Sequence, residues 1–299
     1  MCCANGRTVW EKNDVQTKKH RSGKSFPMKS LKPMVTSNAL ASTWPEPQDT
    51  PLDALDHTMV HKGHAVLNPS AVSLWAGCQP RELDALMPFW DHMPLDAHLK
   101  DGGSYRRRRH SCFEFRNKVL TQTPHRAHWQ SLDYNALHGG MHRMFEPISP
   151  DMVNLPVWTQ LLTAFARSCS HWRNKPQAHW CIEAHPFRID CSQGIGRPTP
   201  EGAHRDGVDF VAVFLLHRQN IIGGETRVFD AHGPQGERFT LQQPWSVLLL
   251  DDARVIHEST PIQPLEHIAH RDTLVLTARE NAFQGAEQDL IAQPAHSPE

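Results

Sequence analysis

His204, Asp206 and His257 are the residues of this 299-residue chain whose types and spacing most directly suggest chemistry. Two imidazoles and one carboxylate make the ligand set that leaves one face of a non-haem iron open to oxygen and a cosubstrate. The first two lie two positions apart, so on an extended segment they project to the same side and can grip one ion. His257 follows Asp206 by 51 residues, enough chain to leave, form several strands and return with a third ligand. Fourteen residues further on, Arg271 is followed at the same strand parity by Thr273. An arginine there can hold a carboxylate through paired hydrogen bonds, with the threonine hydroxyl adding one more, so this part of the site suits a diacid.

Those residues need elements to position them. An HxD triplet alone is weak, because a chain with 21 histidines produces such triplets by chance, usually as a surface loop pair. Its surroundings change the reading. Residues 208–216 form an apolar run that reads as a strand, GGET at 223–226 is a turn opening a second, and 246–250 is a third. Residues 254–257 read as a short strand carrying the last ligand, and 272–278 as another rich in β-formers. On the parity of His204 and Asp206, Val208, Phe210, Ala212 and Phe214 are expected to line a barrel interior, with Val211, Val213 and Leu215 meeting a second layer.

Along the chain, PTPEGAHRDGVDFVAVFL, NIIGGETRVFD, LLLDDARVIHESTPI and HRDTLVLTA resemble motifs of a known family, in its order. It is the iron(II)- and 2-oxoglutarate-dependent dioxygenase family that includes bacterial L-isoleucine 4-hydroxylase and related hydroxylases of free aliphatic amino acids. YRRRR at 105–109, NALHGGMHRMFEPI at 135–148 and IEAHPFRID at 182–190 extend the likeness, which covers roughly residues 95–280. The resemblance implies Fe(II) on His204, Asp206 and His257, 2-oxoglutarate as cosubstrate on Arg271 with Thr273, O2 as oxidant and ascorbate as reductant in vitro. It implies hydroxylation of a free L-amino acid or close derivative, or sulfoxidation of a thioether, with release of succinate and CO2. The expected fold is α+β, mainly β: a double-stranded β-helix, a cupin-like jelly-roll barrel with flanking helices.

A free amino acid leaving water must have both its charges matched. Arg188 or Arg143 for the carboxylate and Glu183 for the ammonium are the candidates. Residues 180–191 read as an extended strand with Glu183, His185 and Phe187 on one face and Ile182, Ala184 and Arg188 on the other. His185 reads either as a supporting partner or as a core histidine, and Glu225 as a substrate contact or a cross-strand pair. Of the arginines at 106–109, at most two can point at one pocket from a strand. HGGMHR at 138–143 joins glycines that permit close backbone approach to His142 and Arg143.

Composition bounds the rest. A hydrophobic content of 39% is enough for a buried core. Residues 1–33 hold eight Lys or Arg against Glu11 and Asp14, a basic arm within a chain of formal net charge −1. It lacks hydrophobic periodicity and reads as a solvated tail. The expected division is a basic tail and linker over 1–50, one dioxygenase domain with a jelly-roll core over 51–285, and a C-terminal tail over 286–299. Asn68 and Pro69 should open a helix stopped by Gly77; Pro80 should open another with Leu83, Leu86, Met87 and Trp90 on one face. Asn154 and Pro156 should open a third with Trp158, Leu161, Leu162 and Phe165 inward. Seven cysteines without a CxxC make no disulfide framework, and no apolar run is long enough for a signal peptide or membrane span, so a cytoplasmic protein is expected. The expected partner is a small molecule, with oligomeric state open. Competing classes are an oxygenase acting on nucleic acid or protein through the basic arm, a metal hydrolase on the same two histidines and aspartate, and a binding module.

Overall fold

The computed structural model describes residues 45–285 apart from Ala136. The basic arm and most of the linker expected over 1–50, and the tail expected over 286–299, lie outside the described residues. The expected helices begin at Pro69, Pro80 and Pro156, but Leu155 caps the third, and Asn154 ends the short helix before it. After α1 (Leu55–Lys62) and strand β1 (His64–Leu67), α2 (Pro69–Ala76) starts at Asn68, whose side chain accepts the Ala71 N–H at 2.9 Å, and stops at Gly77 with φ 68°. The segment after Pro80 divides into α3 (Pro80–Asp84) and a 3₁₀ turn at Met87–Trp90, yet Leu83, Leu86 and Trp90 remain buried. Past the short α4 (Pro150–Val153), α5 (Pro156–Trp172) carries Trp158, Leu161, Leu162 and Phe165 on its buried side.

The other strands are β2 (Arg106–Arg108), β3 (Ser111–Arg116), β4 (Val119–Gln122), β5 (Trp180–Asp190), β6 (Phe210–Gln219), β7 (Ile221–Gly223), β8 (Thr226–Asp230), β9 (Gly236–Phe239), β10 (Val247–Asp251), β11 (Val255–Ser259), β12 (Ile262–Pro264) and β13 (His270–Glu280). A large antiparallel sheet runs β1-β10-β6-β13-β5-β3-β4, with β2 also paired to β5; β11-β8-β9 form a smaller sheet and β12-β7 a ribbon. One face of the large sheet meets the helices, where Phe113, Ala184, Phe214 and Leu276 pack with Trp158 and Phe165. On its other face, Val211, Leu215, Leu248 and Leu250 pack with Val228, Phe239 and Val255 of the smaller sheet. The molecule is thus mainly β, with sheet laid on sheet as the jelly-roll expectation requires. The expected barrel is not closed: the large sheet's hydrogen-bonded path ends at β1 and β4, and among the described residues no ladder joins it to the smaller sheets.

The expected parity of β6 is corrected. Phe210, Ala212 and Phe214 face the helices, while Val211 and Leu215 face the smaller sheet with Val208 and Val213 beside them. The cause is local: Gly207 has φ 78°, and regular pairing begins only at Phe210, so alternation counted from His204 does not survive the bend.

Candidate active site

His204 and His257 face each other across an antiparallel bridge in which each backbone N–H donates to the other's carbonyl at 3.0 Å. The His257 strand is held in turn by β8, with Val228 opposite His257. His204 Nε2 lies 3.8 Å from Asp206 Oδ1 and His257 Nε2 lies 3.7 Å from Asp206 Oδ2. All three ligand-type atoms fall within 4.8 Å of one another. His204 Nδ1 donates to the Gly202 carbonyl at 2.9 Å, which leaves the Nε2 lone pair turned to the cluster. Burial, with His204 beside it, holds His257 well below the ordinary imidazole value, so its ring is neutral and free to bind.

One buried carboxylate fixes the loop that carries Asp206. Asp252 accepts the backbone N–H groups of Asp206 at 2.9 Å, Gly207 at 2.8 Å and Val208 at 3.1 Å, and its own carbonyl accepts from Arg205 Nε at 2.5 Å. Because Asp252 precedes His257 by only five residues, it ties Asp206 and its neighbours to the turn that delivers His257. Gln284 Nε2 adds bonds to the carbonyls of Asp206 and Gly207, each at 2.7 Å.

The cluster opens on a cavity of about 130 Å³. At one end, β13 presents Arg271 and Thr273 from the middle of the large sheet. Arg271 is 4% exposed, its Nε has no hydrogen-bond partner, and among the described residues no carboxylate makes an ion pair with it. Burial and the neighbouring Arg218 push it down to about 9, which still leaves it cationic at neutral pH. A buried guanidinium without a counter-ion is the kind of group a ligand's carboxylate completes.

The opposite wall is also cationic. From β2, Arg106 and Arg108 face the cavity, and Arg143 joins them from the 128–143 loop. Arg106 Nε pairs with Asp96 Oδ2 at 2.7 Å, while Arg108 lies 3.8 Å from the Phe145 ring centre and 4.5 Å from that of Phe187. Each of the three retains a buried N–H without a partner: Arg106 Nη2, Arg108 Nε and Arg143 Nε. Between them sits Glu183, whose Oε2 accepts from His110 Nε2 at 2.9 Å and His128 Nδ1 at 2.6 Å, with His185 Nε2 at 3.7 Å.

By residue type, these three histidines and one glutamate could hold a second metal. Arg108 rules against it: its Nη2 donates to His185 Nδ1 at 2.7 Å and, having no acceptor, forces the His185 proton onto Nε2, the atom that would have to bind the ion. The group is therefore a cage of neutral imidazoles around a carboxylate. Burial, which outweighs the pull of Glu183, lowers His128 to about 3. Burial opposes ionisation of Glu183, but His128 and His110 overcome it and hold the carboxyl well below its usual range.

A family model described as 2OG-Fe dioxygenase matches residues 87–277. The chain belongs to the 2OG-Fe dioxygenase family. No curated protein matches it. Among solved structures, this dioxygenase is similar to a BsmA homologue from Methylobium petroleophilum PM1, at 52% identity over 80% of this chain and 97% of that one, with a TM-score of 0.75. It also resembles IDO from Bacillus thuringiensis, at 16% identity over 79% and 99% of the two chains with a TM-score of 0.61. A third likeness is to TqaL, an Fe(II)/α-ketoglutarate-dependent dioxygenase, at 19% identity over 78% and 88% with a TM-score of 0.56. The last two bear on the fold alone.

Membership implies Fe(II), 2-oxoglutarate and O2, and the dioxygenase has residues whose chemistry fits them: two imidazoles and a carboxylate with ligand atoms within 4.8 Å of one another, and a buried guanidinium whose Nε has no partner. Of the residues singled out from sequence, His204, Asp206, His257, Arg271, Thr273, Glu183 and Arg143 all reach this one cavity. Arg188 does not. It lies on the other face of β5, where Nε and Nη2 bind both carboxylate oxygens of Asp272 at 2.8 and 2.7 Å. Glu225 also lies off the cavity and pairs with Arg227 Nε at 2.8 Å. Sequence reasoning did not select Gln130, Asp252, Arg106 or Arg108. Only the two arginines left a signal, since alternation within YRRRR allows two to face inward.

Proposed function

We propose that this dioxygenase oxygenates a free L-amino acid or a close derivative, hydroxylating a carbon or oxidising a thioether sulfur, and releases succinate and CO2. The observation that carries the reading is the wall beside the metal cluster, which offers an ionised glutamate together with buried guanidinium N–H groups that lack partners. A zwitterion needs both signs once water is removed. In this reading His204, Asp206 and His257 hold iron, and Arg271 with Thr273 holds the far carboxylate of 2-oxoglutarate. Arg143 takes the substrate carboxylate and Glu183 its ammonium; Arg188, engaged with Asp272, is left out. One domain over 51–285 would carry all of these residues.

Iron(II), 2-oxoglutarate and O2 together supply the oxidant that replaces a C–H bond by C–OH. What the chain contributes is placement and dryness. The cage keeps Glu183 anionic and fixed, and the arginine wall sets which end of the substrate lies away from the metal cluster. A cavity of about 130 Å³ supports a small substrate over a nucleic acid or protein. Arg271 argues against a hydrolase, in which its unpaired charge would have no task.

The test is succinate formation in air with Fe(II), ascorbate and 2-oxoglutarate against the free proteinogenic amino acids, each mixture being analysed for gain of one oxygen. The expected result is succinate coupled to one oxygenated amino acid and lost in His204→Ala and Arg271→Ala. Substrate-independent succinate with no oxygenated amino acid would overturn the substrate assignment and turn the search to peptides and nucleic acid.

A further inference from the structure

Gln130 is buried between the metal cluster and the arginine wall and bonds to both. Its Nε2 donates to Asp206 Oδ1 at 3.3 Å, and its Oε1 accepts from Arg143 Nη2 at 3.1 Å and from Asn135 Nδ2 at 3.2 Å. Arginine has no acceptor, so the amide has only one workable orientation. Reversed, its NH2 would meet the donors of Arg143 and Asn135 while its oxygen met a carboxylate. The oxygen therefore faces Arg143, and the NH2 must face Asp206. With Oδ1 accepting that bond, Oδ2, 3.7 Å from His257 Nε2, is the carboxylate oxygen left without a hydrogen-bond donor among the described residues.

The same loop fixes the other end. His128 and Arg143 exchange backbone hydrogen bonds at 3.0 and 2.9 Å, so Gln130 and Arg143 stand near the two ends of one closed loop. Within it, Asn135 Oδ1 accepts the His138 N–H at 2.7 Å, and a Cβ on Gly139 would lie 2.4 Å from the Asn135 carbonyl, so the loop is tightly packed. Arg143 lines the cavity, is 1% exposed, and keeps a buried Nε without a partner. An anion bound at Nε fixes the plane of the guanidinium, and with it Nη2, Gln130 and Asp206.

We propose that Gln130 is a positioning residue that makes Asp206 a one-oxygen metal ligand and couples it to the carboxylate of the substrate on Arg143. The inference rests on the substrate orientation proposed above. Among the described residues the Arg143 guanidinium has one side-chain hydrogen bond, to Gln130 Oε1; a carboxylate bound at Nε would hold it at a second point and tighten the geometry of Asp206. Substrate arrival is thus communicated to the metal site through one amide.

The test uses Gln130→Leu, which removes both contacts, and Gln130→Glu, which keeps an acceptor for Arg143 and loses the donor to Asp206. Thermal melts establish that each is folded. Titration of metal-free protein with Fe(II) under anaerobic conditions should show affinity about 10–100-fold weaker in both variants. The visible charge-transfer band of the Fe(II)–2-oxoglutarate complex should shift when the amino acid substrate is added to the wild type and should not shift in either variant. Wild-type metal affinity in either folded variant overturns the assignment, and a band that still shifts overturns the coupling to substrate. A wild type that forms no band, or whose band responds to no amino acid, fails the proposed function instead.

Discussion

Arg271 is buried and, among the described residues, makes no ion pair, so the proposed 2-oxoglutarate carboxylate is the group that would complete it. Arg271→Lys keeps the charge but not the planar fork that matches a carboxylate. The expected result is a KM for 2-oxoglutarate raised about tenfold or more, in line with about 1.5–3 kcal/mol for a hydrogen bond to a charged group, read from initial rates at saturating substrate. At this scale the sequence was informative where chemistry and spacing coincide, as in His204, Asp206, His257, Arg271 and Thr273, which share one cavity. Arg188 could have been set aside by alternation alone, since it falls on the opposite face of β5 from Glu183 and His185. Gln130 was not legible, because its partners Asp206 and Arg143 become its neighbours only through the fold.

Among the elements, the decisive one is the bend at 206–209, which is neither strand nor helix. Sequence periodicity carried the strand parity straight through it and assigned Phe210, Ala212 and Phe214 to the wrong layer. A single glycine with positive φ was the only available sign of a break, and many glycines make none. The bend is held by Asp252, which gives a sharp expectation for Asp252→Asn. An amide presents one accepting oxygen where the carboxylate had two, so at least one of the three N–H bonds at Asp206, Gly207 and Val208 is lost. Metal affinity measured by anaerobic titration should fall about 10–100-fold, with the melting transition remaining cooperative. The helices were read more reliably because their caps are local: Asn68 and Gly77 end α2 as expected. The stripe after Pro80 kept its burial but not one continuous helix.

Across the whole molecule, the sequence indicated sheets packed on sheets beneath helices, but not that the large sheet stays open, because strand order is set by distant pairings such as β1 with β10. The buried cage couples this architecture to pH. His128 is lowered from 6.5 to about 3, with burial the largest cause, so between those values the unfolded chain binds a proton that the native protein does not. Its contribution is therefore present above about pH 6.5 and is lost as pH falls toward 3. Urea unfolding of the metal-free protein across this window should show stability falling with acidity. His128→Gln, which removes that titration, should make the slope shallower by up to about 1.4 kcal/mol per pH unit. An unchanged slope would place His128 outside the acid response.

No helix among the described residues is long and apolar enough to cross a membrane. The bridge between His204 and His257 bears on how the molecule matures. Backbone pairing and the Asp252 carboxylate close the long excursion between these histidines with the chain's own bonds, which carry the cost of loop closure. The expectation is that the fold forms before any metal binds. In metal-free protein, the His204 and His257 amides should resist hydrogen exchange nearly as well as those of the central strand β13, and added metal should raise the melting temperature only as mass action requires. Rapid exchange at both amides until iron is added would show instead that the metal closes the loop.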